Sequence, residues 1–164
     1  MAATLEYHLT GGSTNTDPNA SLGGVMSNTT ITSGQLNNLF DDVQPEEAAN
    51  GDTEYRAIDI YNAGDATAVS VELYVSAQPG SGVTIQLGYD SSNSPHASDA
   101  SLPTTPDEST APSGITFGTY DASNTLSLPD IPAGQAIRVW VKRVVPAGTG
   151  NTANDSATLT VKYA

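Results

Sequence analysis

Strict period-two alternation, broken by Gly, Pro and Asp turns, leaves this chain few ways to fold. In "AVSVELYVS" Val69, Val71, Leu73 and Val75 share one face, and Ser70, Glu72, Tyr74 and Ser76 share the other. "VTIQLGY" repeats the pattern with Val83, Ile85, Leu87 and Tyr89. "EYRAIDIYN" sets Arg56, Ile58 and Ile60 against Tyr55, Ala57, Asp59 and Tyr61. "QAIRVWVKRVV" sets Ile137, Val139, Val141, Arg143 and Val145 against Ala136, Arg138, Trp140, Lys142 and Val144. "NAGDAT", "QPGSG" and "PDIPAGQ" are turns between such runs. With "GITFGTY", "NTLSL" and the closing "NDSATLTVKYA", about seven strands are expected. The expected class is all-β, an immunoglobulin-like antiparallel β-sandwich over residues 54–164. No stretch has a helical period of useful length; "LNNLFDDV" offers one turn at most.

Residues 1–53 read differently, as an N-terminal strand and an extended arm. "TLEYHL" alternates Leu5, Tyr7 and Leu9 with Glu6 and His8, and a long Gly-, Asn-, Ser- and Thr-rich stretch follows. Connections much beyond about 12–15 residues are uncommon in compact domains. This one is dotted with Leu22, Val25, Met26, Ile31, Leu36, Leu39 and Phe40, which suit anchors better than a free tether. Deleting residues 10–53 is expected to leave a folded, soluble 54–164 core. Residues 90–113, with four prolines and few apolar side chains, are expected to form a long exposed loop.

The 164 residues suit one domain plus an arm, large enough to bury roughly 70% of the unfolded surface. There is no cysteine, which excludes disulfides and thiolate metal sites. Eighteen acidic residues face five basic ones, a formal charge of -13. Nucleic acid and anionic membrane surfaces are therefore not expected partners, because both are bound through Lys and Arg. The sequence shows no signal peptide and no apolar run long enough to span a bilayer.

Three of the five cations, Arg138, Lys142 and Arg143, lie around the only tryptophan, Trp140. In one reading they answer carboxylates on adjacent strands, such as Asp59 or Glu72, and Trp140 covers a sheet face. In the other, Arg138, Trp140 and Lys142 form an interface anchor, since Trp and Arg dominate binding hot spots. The acidic run Asp41, Asp42, Glu46, Glu47, Asp52 and Glu54 supplies a complement, within the chain or between copies. Leu36, Leu39 and Phe40 are the arm's candidate contacts.

Catalytic chemistry is not expected. His8 and His96 are the only histidines, and both are expected in solvent rather than in a triad. Asp41–Asp42, Glu46–Glu47 and Asp107–Glu108 are adjacent in sequence and expected on solvated loops, not across a cleft. "DDVQPEEAANGDTE" has oxygen ligands without the spacing of a calcium loop, so neither metal nor cofactor is expected.

"SLGG" (21–24), "NNLFDDV" (37–43), "GDTEYRAIDIYN" (51–62), "TPDESTAPSGITF" (105–117), "LPDIPAGQAIRVWVKR" (128–143) and "NDSATLTV" (154–161) together resemble small structural proteins of tailed bacteriophages. The resemblance covers nearly the whole chain. It implies a virion component, made in the host bacterial cytoplasm and carried in many copies on the capsid, neck or tail. Its partners would be other virion proteins and copies of itself. It implies no catalytic residue. The competing expectation is a bacterial surface or secreted immunoglobulin-like module for adhesion or carbohydrate binding, with Trp140, Tyr74 and Tyr61 as the candidate aromatic platform.

Overall fold

The computed structural model describes all 164 residues. Ten strands follow in chain order: β1 (Leu5–Thr10), β2 (Gly23–Thr30), β3 (Asp52–Asn62), β4 (Glu72–Ala77), β5 (Thr84–Tyr89), β6 (His96–Ala97), β7 (Ser101–Thr104), β8 (Leu126–Ser127), β9 (Gln135–Val145) and β10 (Thr158–Lys162). One short helix, α1 (Pro45–Asn50), precedes β3. The fold is all-β and antiparallel, curled into a half-barrel. The larger sheet runs β5-β9-β3-β1-β2-β7, with β6 also pairing β9; the smaller runs β10-β4-β8.

The alternation sets the register. In β3 and β9, Ile58 faces Val139, Ile60 faces Ile137 and Arg56 faces Val141. The five apolar residues of this set look inward to meet Leu73 and Val75 of β4 and Leu87 of β5, in a core that Val71, Leu128 and Ile131 complete. Burying such side chains contributes about 1.5–3 kcal/mol each, and this is the main source of stability. Val69 departs from the pattern. It is 38% exposed, and Ser70 beside it has φ +53°, which breaks the strand before β4 begins.

One margin between the sheets is closed without a regular strand. Leu87 and Gly118 exchange backbone hydrogen bonds of 3.0 Å, and the Val75 amide donates to the Tyr120 carbonyl at 3.1 Å. Residues 118–120 thus bridge β5 to β4. At the other margin β10 ends its sheet, and Leu159 and Val161 pack against the core together with Tyr7, Ile31, Leu39 and Phe40.

Two expectations need correction here. The boundary at 53/54 is not a structural break: β3 runs across it, and β1 and β2 extend the larger sheet beyond β3. Residues 90–113 are not simply an exposed loop. They supply β6 and β7 and bury Asp90, His96, Leu102 and Thr105. They lie on the second face of the larger sheet, with His96 beside Asp59 and the Glu108 carbonyl on the Tyr55 amide, while Ile115 and Phe117 just beyond them pack on Tyr55, Ala57 and Trp140. A low-hydrophobicity segment can do this because what it covers is partly polar and is satisfied by hydrogen bonds.

"SLGG" ties the arm to that covered face. The Ser21 hydroxyl donates to the Ala57 carbonyl at 2.6 Å and accepts from the Thr10 amide at 2.8 Å. Gly23 pairs with Thr104 at φ +103°, and a Cβ there would lie 2.2 Å from the Pro103 carbonyl oxygen. Only glycine fits this close left-handed approach.

Candidate functional site

Arg138 is 0% exposed and forms a two-pronged pair with Asp59, at 2.6 Å (Nε to Oδ1) and 2.9 Å (Nη2 to Oδ2). Its Nη2 also donates to the Gly24 carbonyl at 2.9 Å, so it clips β9 to β3 and to the start of β2. The His96 Nε2 lies 3.3 Å from Asp59 Oδ1, outside hydrogen-bonding geometry. Burial pushes the Asp59 carboxyl up, but the two Arg138 hydrogen bonds and the positive charge beside it outweigh this and hold the group below its ordinary value.

Trp140 is 1% exposed and lies under Ile115 and Phe117. Neither Arg138 nor Trp140 reaches the surface of the chain, which corrects the interface-anchor reading for both and removes Trp140 from any sugar-binding platform; Arg138 answers Asp59 across the strands and Trp140 covers a sheet face, as in the other reading. Lys142 alone of the three stays half-exposed, its Nζ 5.7 Å from the centre of the Phe117 ring. Alternation put the three on one face correctly; the cover over that face lies far off in sequence.

The histidines also need correction, since both are buried: His8 is 6% exposed and His96 2%. The His8 Nδ1 is 2.8 Å from the Ser27 carbonyl and its Nε2 3.2 Å from Glu6 Oε2. The His96 Nδ1 is 2.9 Å from the Ala97 carbonyl. Three of the four ring nitrogens meet a backbone carbonyl or a carboxylate, and none is bonded to a hydroxyl that it could activate.

The acidic arm does meet basic strand residues, but they are Arg56 and Arg143. The Phe40 ring meets both guanidiniums, its centre 5.1 Å from that of Arg56 and 4.8 Å from that of Arg143. Arg56, fully buried, donates to the Leu39 carbonyl at 3.1 Å, to Asn19 Oδ1 at 3.0 Å and to Glu108 Oε2 at 2.8 Å. Arg143 donates to the Asp41 carbonyl at 2.6 Å, and its Nη2 pairs with Glu54 Oε2. Glu108 therefore belongs to this clamp rather than to a solvated loop. The Glu54 carboxyl is pushed up to about 7, chiefly by burial, with Arg143 and Arg56 opposing the rise and Glu108 and Asp41 adding to it.

Beside the clamp a groove of about 1340 Å³ opens between the arm and the loop that leads into β10. Ile58, Ile85 and Val141 lie at its floor, with Leu39, Phe40 and Leu159 along its walls. Tyr7 lines it too, its buried hydroxyl without a partner and its pKa driven upward by burial. Asp41, Asp42 and Asp155 contribute negative charge. Leu36 stands at this groove 78% exposed, while Leu39 and Phe40 of the same segment are half-buried against the core. The structure thus separates the arm's three candidates into two anchors and one free apolar side chain. Comparison with protein families, curated proteins and solved structures gives no match to this chain.

Proposed function

We propose that the chain is a non-enzymatic structural protein of a tailed-bacteriophage particle, carried in many copies on the capsid, neck or tail. In this reading the two facing sheets are an immunoglobulin-like sandwich, and the arm is its assembly element. The observation that carries it is Leu36. A leucine 78% exposed beside a groove of mixed apolar and polar lining, on an arm fixed at Leu39 and Phe40, is suited to contact another protein.

The phage-like segments add support, because they converge on the clamp that fixes the arm. Phe40 and Asp41 come from "NNLFDDV", Arg56 from "GDTEYRAIDIYN", Glu108 from "TPDESTAPSGITF" and Arg143 from "LPDIPAGQAIRVWVKR". A resemblance resting on residues that position an arm fits a protein whose work is assembly. The hydrogen bonding of both histidines is in keeping with a chain that does no hydrolytic chemistry.

The test is incorporation. A tagged chain expressed in the producing host should band with gradient-purified particles at a fixed, multi-copy ratio to the main capsid protein. Leu36→Asp should melt at the wild-type temperature, since the side chain packs on little, yet be depleted several-fold from particles. A tagged wild-type chain that never bands with particles overturns the proposal.

A further inference from the structure

The geometry points to a binding site for a calcium-sized divalent cation at the corner between α1 and β3, held by Glu47, Asp52 and Glu54. One carboxylate oxygen from each of the three lies within 4.8 Å of the others. Calcium binds oxygens at about 2.3–2.6 Å, so two ligands on one ion are no more than roughly 5 Å apart. The three carboxylates meet that limit, and none has to be drawn in from another part of the fold.

Glu54 gives the second, independent indication. It is 1% exposed; its Oε2 is taken by Arg143, but its Oε1 has no donor. A buried carboxylate oxygen without a partner is costly, and a bound cation is one of the few ways to satisfy it. Glu47 is already oriented, since its Oε2 accepts the Gln44 amide at 2.7 Å, which leaves its other oxygen for a ligand. Asp52 is half-buried on the same side of β3 as Glu54, two residues away.

Asp41, Glu54 and Glu108 form a neighbouring cluster of the same size. In that one both arginines are already engaged, Arg56 with Glu108 at 2.8 Å and Arg143 with Asp41 at 3.4 Å and with Glu54. Five carboxylates thus share two guanidiniums, and the unneutralised charge falls on the Glu47–Asp52 side. An all-oxygen, carboxylate-rich set selects a hard cation, and a half-exposed corner leaves room for the waters that complete calcium's six to eight ligands. The spacing of a calcium loop is absent from "DDVQPEEAANGDTE" because a helical turn and a strand, not one continuous loop, bring the ligands together.

The experiment is calorimetric titration and thermal melting of the full chain, stripped with EDTA, against CaCl2 and MgCl2 with NaCl at matched ionic strength. The expected result is one calcium per chain and a saturable rise in melting temperature that NaCl does not reproduce. Glu47→Gln and Asp52→Asn should each lose most of that rise. Asp99→Asn, which removes an exposed carboxylate elsewhere, should keep it. Glu54→Gln should lose it too, but also disturbs Arg143, so the half-exposed Asp52 is the deciding variant. No calcium-specific rise, or an equal rise in Asp52→Asn and wild type, overturns the site.

Discussion

Arg138 and Asp59 face each other across β9 and β3 with no exposure to water, so each is the other's main compensation for lost hydration. Removing one partner leaves an uncompensated buried charge, at a cost of about 3–5 kcal/mol. Asp59→Ala is expected to lose that much in urea unfolding. The pair also sets an acid limit. Because the folded-state pKa of Asp59 is held below its ordinary 3.8, its contribution is present above that pH and is lost as pH falls through the lowered value. Wild-type melting temperature should fall below about pH 4, and Asp59→Asn should start lower at pH 7 and show a shallower acid limb. An identical acid limb in the variant would mean that other carboxylates control acid unfolding. Part of this is legible in the sequence: Asp59 is a carboxylate that can answer the cations of β9, and the register makes it the cross-strand partner of Arg138. The burial of the pair was not legible, since its cover comes from residues remote in sequence.

At the level of elements, the arm segment before α1 is held by one aromatic ring in contact with two arginines. Each cation–π contact contributes about 0.5–2 kcal/mol, depending on how far it is desolvated. Phe40→Ala should therefore destabilise the protein by roughly 1–3 kcal/mol. Protease cleavage within 31–43 is expected to appear well below the global unfolding transition, as for any locally released segment. Unchanged resistance to cleavage would show that Leu39 and the Arg56 and Arg143 bonds to the backbone suffice. The apolar punctuation of the arm was visible in the sequence. Which residues anchor it was not, because Leu36, Leu39 and Phe40 are equivalent by composition and differ only in what lies beneath them. Helix α1 was missed for a similar reason: six residues carry too little period to register, and its position is fixed by the turn into β3.

For the whole molecule, the deletion once expected to leave a folded core should instead unfold it. Removing residues 10–53 takes away β2, the Ser21 bonds to Thr10 and Ala57, the first two residues of β3 and the Phe40 clamp. It also bares the edge of β1 and leaves Arg56 with fewer partners inside the protein. Circular dichroism of the 54–164 fragment should show no cooperative melt, whereas a wild-type-like transition would restore the arm as a separable element. The sequence by itself determined the all-β class, which side chains of β3, β4, β5 and β9 share a face, and the turns between strands. These depend on a period of two and on local turn chemistry, and both are written in neighbouring residues. Only the tertiary structure decided that both faces of the larger sheet are covered, that His8, His96, Arg138 and Trp140 are interior, and that the arm's acids meet Arg56 and Arg143. Alternation tells which residues share a face. What packs on that face depends on contacts between segments tens of residues apart, for which a single sequence carries no periodic signal.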